Sequence, residues 1–323
     1  MISVTSATST PSVDKILGKR TLILGTRPSQ LARWQTDFVA AALRAAWPDL
    51  RTEIKVYTTR GDRELNRALP EIGGKGLFTA EIEAVLRTGD IDLAVHSLKD
   101  LPITDSDELT IGAVLERAAV HDVLVSRHRL PLPELPPHPR IGTSSPRRAA
   151  QIRVARPDAH IIPIRGNVDT RLRKAATEDY DAVVLAAAGL TRLGLEEHIT
   201  QWLPLDVMLP APAQGALAVQ SRADDDAILS LLSPVHHVPT WAAVTTERAF
   251  LEGLGGGCAV PVAAYATCHA DGLQLRGLVA SLDGRQALRV AGDGSARAPA
   301  ILGHRLAQDA LAQGAREILE AAS

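Results

Sequence analysis

From residue 21 onward, short apolar runs alternate with stretches in which apolar residues recur every three or four positions, the pattern of strands interleaved with helices. TLIL (21–24) is one such run. It leads through the tight turn Gly25-Thr26-Arg27-Pro28-Ser29 into a segment whose spacing puts Leu31, Trp34, Phe38 and Ala41 on one helical face. The pattern then predicts a strand over 53–58 and a polar loop from Thr59 through Gly73-Gly74-Lys75-Gly76. A helix over 79–86 and a buried strand, IDLAV (91–95), follow.

The scheme restarts after the proline-rich stretch PLPELPPHP (131–139). There Arg140-Ile141-Gly142-Thr143-Ser144-Ser145-Pro146 again runs from strand to tight turn to helix, with Gly-Thr at the same place in both turns. The strand entrances echo each other too: DIDLAV (90–95) against DYDAVV (179–184). Two short echoes fit a pair of similar domains facing each other over a cleft, and they fit chance likeness between α/β segments as well. Later, 213–220 reads as a turn into a strand. Helical spacing then links Trp241, Val244, Arg248 and Leu251 up to the break at Gly255-Gly256-Gly257. Three strands (258–267, 273–281, 286–291) and a terminal helix (299–321) predict a small α+β unit closing an otherwise α/β chain.

Composition narrows the choices. A chain of 323 residues is longer than a single core usually supports, so two or three domains are expected. With 3% aromatics and a net charge of −2, it lacks the stacking platforms and the overall attraction of a nucleic-acid binder, so any anion site must be local. Two cysteines, Cys258 and Cys268, are too few for a disulfide framework and lack zinc spacing; no metal is expected, and a reducing compartment suits them. No apolar run is long enough to span a bilayer. Residues 1–18, Ser/Thr-rich and without a signal-peptide core, read as a disordered tail, so the chain is expected to be cytoplasmic.

The candidate chemistry lies where strands end. In TSSPRR, Ser144 or Ser145 can cap a helix and Pro146 suits its first turn. Free backbone N–H groups beside Arg147 and Arg148 would then favour an anion. Arg27 with Ser29 follows the same logic. Arg165-Gly166-Asn167-Val168 with Arg171 follows HIIPI, and Arg192 follows DAVVLAAAGLTR. Any one of these arginines is explained as well by solvating a helix end or pairing with a nearby carboxylate. Five of them on one crevice side favour a ligand with several carboxylates. After IDLAV come His96, Lys99 and Asp100. Asp100 could offset a developing cation, while His96 and Lys99 are equally at home as structural groups. Cys258, directly after three glycines, is as open to being a nucleophile as to being inert; Cys268 reads as structural.

Ten motifs, in order, closely resemble the porphobilinogen deaminase (hydroxymethylbilane synthase) family. They are GTRPSQLARWQ, TRGD, GGKGLF, DLAVHSLKDLP, GTSSPRR, IRGNVDTRL, AAAGLTRLGL, PAQGALAVQ, TERAFL and GGGCAVPV. The resemblance implies three domains, the first two like type II periplasmic binding proteins and the third a small α+β domain with a three-stranded sheet. The expected boundaries are 19–115 with 216–235, 116–215, and 236–323. It implies that Cys258 carries a covalent dipyrromethane through a thioether and that Asp100, with Arg27 and Lys99, is catalytic. Lys99, Asp100, Thr143, Ser145, Arg147, Arg148, Arg165 and Gly166 would hold the cofactor. Arg27, Ser29, Arg165, Arg171, Gln214 and Lys75 would handle substrate. The implied reaction joins four porphobilinogens head to tail, releasing ammonia and, after hydrolysis, a linear tetrapyrrole. The implied protein is monomeric, with no nucleic-acid or membrane partner. Two positions depart from the usual pattern: Leu98, where many members carry methionine, and Glu71, where a basic residue is common. A noncatalytic carrier of a small carboxylate is the alternative from another class, and a Cys-dependent hydrolase the third reading.

Overall fold

The computed structural model describes residues 20–63, 76–103, 107–256, 260–270 and 272–321. Its first sheet is built from β1 (Leu22–Thr26), β2 (Thr52–Val56), β3 (Leu93–Ser97) and β4 (Leu109–Val114). The second is built from β5 (Asp122–Ser126), β6 (Arg140–Gly142), β7 (His160–Ile162), β8 (Ala182–Ala186) and β9 (Gln201–Trp202). β10 (Leu217–Arg222) returns to the first sheet and inserts between β3 and β4, giving the order β2-β1-β3-β10-β4. The second sheet has the matching order β7-β6-β8-β5-β9. In both, the first three strands pair in parallel and the fourth runs antiparallel to its two neighbours, the repeated α/β unit that the sequence echoes suggest. β11 (Val262–His269), β12 (Gly272–Ala280) and β13 (Ala287–Gly294) form a separate antiparallel sheet.

The helices, in chain order, are α1 (Gln30–Ala46), α2 (Arg60–Arg63), α3 (Ala80–Arg87), α4 (Pro146–Ala155) and α5 (Val168–Ala175). They continue with α6 (Ala187–Leu193), α7 (Asp226–Leu232), α8 (Val238–Gly253), α9 (Pro299–Ala312) and α10 (Ala315–Glu320). The face of α1 that enters the core carries Thr36, Val39, Ala40 and Leu43, beside the face that holds Phe38 and Ala41. Trp34 and Phe38 instead stack on each other outside it, with ring centres 5.2 Å apart. In α8, Trp241 is exposed while Ala243, Glu247 and Phe250 are buried. The terminal helix is two, because the chain turns at Gly314, whose φ of +98° is left-handed. Among the described residues no helix is long and apolar enough to cross a membrane.

The chain crosses between the two large sheets twice, once outward after β4 and once back before β10. The two crossings lie side by side: Leu115 N donates to Leu217 O at 3.1 Å and Ala118 N to Gly215 O at 3.2 Å. Gly215 is left-handed (φ +89°), and a Cβ there would meet Ala118 O at 2.6 Å, so only glycine permits this approach. Glu247 of α8 locks the crossings from the third unit. Its fully buried carboxylate accepts from Arg117 Nη1 and Nη2 at 2.6 and 3.0 Å, and from the backbone N–H groups of Ala213 and Ala266 at 2.6 and 2.7 Å. Removing one partner strands a buried charge. Glu247→Ala should therefore destabilise the fold by about 3–5 kcal/mol, read as a lower urea midpoint; an unchanged midpoint would show that the joint is not under this clamp.

Candidate active site

Strand ends place the functional side chains. β1 ends in Thr26, and Ser29 then caps α1, its Oγ accepting from Ala32 N at 3.3 Å, which leaves Arg27 and Ser29 at the mouth between the sheets. β3 ends in a single 3-10 turn, Leu98–Asp100, that presents Lys99 and Asp100 to the same space. Because β10 is antiparallel to β3, Gly215 and Ala216 arrive beside this turn, and Leu98 N donates to Ala216 O. From the second sheet, Ser145 caps α4 by accepting from Arg148 N at 3.4 Å, and Thr143 Oγ1 accepts from Ser145 N at 3.1 Å. Gly166 and Arg171 come from the loop and helix after β7. These segments border a cleft of about 240 Å³ whose wall carries Arg27, Lys99, Arg148, Arg171 and Arg192 around one carboxylate, Asp100.

Each cation is fixed differently. Arg27 pairs through Nη2 and Nε with Asp62, and its guanidinium lies over the Phe78 ring at 4.3 Å. Burial alone would raise the Asp62 carboxyl. Arg27, helped by the Thr59 hydroxyl and N–H, outweighs that and holds it below the usual range. Arg171 donates from Nε to Gly166 O at 2.8 Å; burial, with Arg148 nearby, lowers it to about 10. Gly166 is left-handed (φ +118°) and packs on Thr170, where a Cβ would come within 2.6 Å. Arg192 donates to Gly215 O at 2.8 Å and lies 5.9 Å from the centre of the Trp34 ring; burial lowers it to about 10. Lys99 donates to Gln214 Oε1 at 3.1 Å. Desolvation lowers it to about 8, against the opposing pull of Asp100.

The structure thus brings Arg27, Ser29, Lys99, Asp100, Arg148, Gly166 and Arg171 onto one cleft. It does not place Arg147 there. The Arg147 side chain is buried, with Nη1 donating to Asp122 at 2.7 Å and to Leu209 O at 2.7 Å. Gln214 is also wholly buried, one layer behind Lys99. Thr143 is buried beneath the capping turn, and Arg165 sits half-buried at the loop edge, outside the cleft lining. Lys75 and Cys258 lie outside the described residues. His96, buried, has its pKa lowered to about 4 by desolvation and by Arg27, so it is neutral at physiological pH. Cys268 packs against the core of the third unit.

Reasoning from sequence missed Asp62 and Asp122, the carboxylates behind the arginines. Asp122 is completely buried. Burial would raise its pKa, but Arg147 and Arg148 outweigh that and hold it well below the usual carboxylate range. Asp62 lies in the quoted motif TRGD, where a signal existed. Asp122, at the head of an apolar strand, gave none.

A multi-cationic cleft facing a single carboxylate on a two-sheet frame is what the comparisons with known proteins meet. The family model described as "Porphobilinogen deaminase, dipyromethane cofactor binding domain" matches residues 22–230, and "Porphobilinogen deaminase, C-terminal domain" matches 241–312. The porphobilinogen deaminase of Roseiflexus castenholzii is 50% identical over 93% of this chain and 99% of that protein. That of Syntrophomonas wolfei is 49% identical over 93% and 98%, and that of Xanthomonas oryzae 48% over 93% and 99%. Among solved structures, the BvgS VFT2 domain of Bordetella pertussis superposes with a TM-score of 0.40 at 16% identity, covering 67% of this chain and 86% of that one. With both parts matched and half of the residues shared along nearly the whole length, this chain belongs to the porphobilinogen deaminase family.

Proposed function

We propose that this chain is a hydroxymethylbilane synthase that works as a cytoplasmic monomer, joining four porphobilinogens head to tail on a primer attached through Cys258. The observation that carries the reading is the ring of cations about Asp100: each porphobilinogen brings two carboxylates, and guanidinium groups grip carboxylates bidentately. A bare carboxylate carrier is the weaker account, because both the cofactor-binding and the C-terminal parts of the family are present.

The cleft fits dipyrromethane, a small ring pair bearing several carboxylates. Arg148 and Lys99 stand on the wall, Arg148 in the first turn of the helix that Ser145 caps, a donor set suited to anions. Bound there, the primer would supply the nucleophilic pyrrole carbon on which the product grows. The protein's own residues do the rest. Arg27 and Arg171 orient the incoming substrate by its acetate and propionate groups, with Arg165 at the rim. Loss of ammonia breaks the substrate's aminomethyl C–N bond and leaves a cation delocalised into the pyrrole. Asp100, accepting from the pyrrole N–H, offsets that charge. Each condensation would form a C–C bond to that nucleophilic pyrrole carbon at the cost of its proton. Hydrolysis would break the C–C bond between primer and first ring, the methylene taking hydroxide and the primer carbon the proton, with four ammonia molecules lost for each tetrapyrrole formed. Arg147, behind the wall, holds Asp122 rather than the ligand.

Three outcomes follow. Intact-mass measurement of the purified protein should find a stable two-pyrrole addition that Cys258→Ala abolishes; an unmodified wild-type chain that turns over porphobilinogen would sink the assignment of Cys258. Asp100→Ala should fold normally and lose at least about 100-fold in kcat, whereas ordinary ammonia release would remove its role. Lys99 is charged below its pKa of about 8 and neutral above, so KM for porphobilinogen should climb as pH rises through about 8. Lys99→Met should already have the high KM at low pH and show no such step.

A further inference from the structure

Asp122 opens β5, is wholly buried and contributes nothing to the cleft lining, yet its two oxygens reach three side chains. Oδ2 accepts from Arg147 Nη1 at 2.7 Å. Oδ1 accepts from Arg148 Nε and Nη2 at 3.0 and 2.6 Å, and from Gln214 Nε2 at 3.0 Å. Gln214 Nε2 also donates to Val120 O at 2.8 Å. Both hydrogens of that amide are thereby committed, so its orientation is decided and Oε1 must point the other way, where it receives Lys99 Nζ at 3.1 Å. One carboxylate thus holds Arg148 directly and Lys99 at one remove.

Resting on the function proposed above, we propose that Asp122 is a positioning residue for the condensation: it sets Arg148, and through the Gln214 amide Lys99, in the geometry that receives ligand carboxylates. Every side chain that reaches Asp122 is a donor, so an amide in its place turns an N–H group towards at least one of them and breaks the arrangement on one side. Its negative charge matters as much as its shape. The charged groups facing Lys99 are Asp100, Arg148, Asp122 and Arg147, and removing the charge of Asp122 leaves two guanidinium groups facing Lys99 against Asp100 alone.

The test compares wild type, Asp122→Asn and Gln214→Leu as full-length proteins. Turnover of porphobilinogen is normalised to the chains that carry the two-pyrrole mass. Independently of turnover, the titration of Lys99 is followed by competitive acetylation with acetic anhydride and peptide mapping. Asp122→Asn should raise KM about tenfold with a smaller change in kcat, and should move the Lys99 midpoint below its value of about 8. Gln214→Leu keeps both arginine pairs and the charge of Asp122 but removes the acceptor of Lys99, so it should move the Lys99 midpoint the same way by less, with a smaller rise in KM. A folded Asp122→Asn with wild-type KM and wild-type Lys99 titration overturns the proposal. If that variant does not fold, Gln214→Leu decides by the same two readouts. A wild type that never turns over porphobilinogen would sink the proposed function instead, and the acetylation arm would still judge Asp122.

Discussion

Arg148 and Lys99 stand on one wall of the cleft with Arg147 packed directly behind it, and burial, which pushes Lys99 and Arg147 towards neutrality, works against so much positive charge in one place. What keeps them in place is compensation from behind: Asp122 sits between the two arginines and reaches Lys99 through Gln214. The same device holds another cation of the cleft, where Asp62 fixes Arg27 over the Phe78 ring. A binding surface for a growing polyanion needs dense positive charge, and dense positive charge survives folding only where buried carboxylates and carbonyls answer it.

The fold supplies the places for this. Parallel strands end on the cleft side in both large sheets, so their turns and helix starts converge without long loops. The inserted antiparallel strand β10 returns the chain beside the Leu98–Asp100 turn and brings Gly215 with it. Glu247 ties the third unit to the paired crossings, and a change there would be felt along both segments that join the sheets.

Much of this was legible in the residues. The two strand–turn–helix starts, with Ser29 and Ser145 as caps, were readable because capping chemistry is local and the residues are next to one another. Leu31, Trp34 and Phe38 share a helical face on α1, but it is not the face that enters the core. Periodicity cannot tell a stripe that meets a neighbouring unit from one that enters the core, and Leu31 lines the cleft while Trp34 meets Arg192. Arg147 was read as an anion ligand by its adjacency to Arg148. On a helix, however, successive side chains diverge by about 100°, so one reaches the cleft wall and the other turns into the interior. Asp122 was silent because a lone acidic letter at the head of an apolar run does not say which cation it will meet, and Glu247, although it stands in the motif TERAFL, meets Arg117 from 130 residues away.

The cleft's guanidinium groups fall into two classes by what stands behind them, and the classes suit different tasks. Arg27 and Arg148 are backed by carboxylates, which fix their direction but cancel much of their charge. Arg171 and Arg192 are backed by backbone carbonyls of two left-handed glycines, Gly166 and Gly215, which orient them without a carboxylate behind them. A ligand carboxylate arriving between them gains most of its Coulomb attraction from the second pair and most of its geometric definition from the first. A polyanion that must shift as it lengthens is served by that division, since it can exchange partners among strongly attracting groups while the carboxylate-backed pair keeps the shape of the site. The two glycines are therefore part of the electrostatics: a side chain at either would clash, with Thr170 or with Ala118 O, and would displace the carbonyl on which a guanidinium rests.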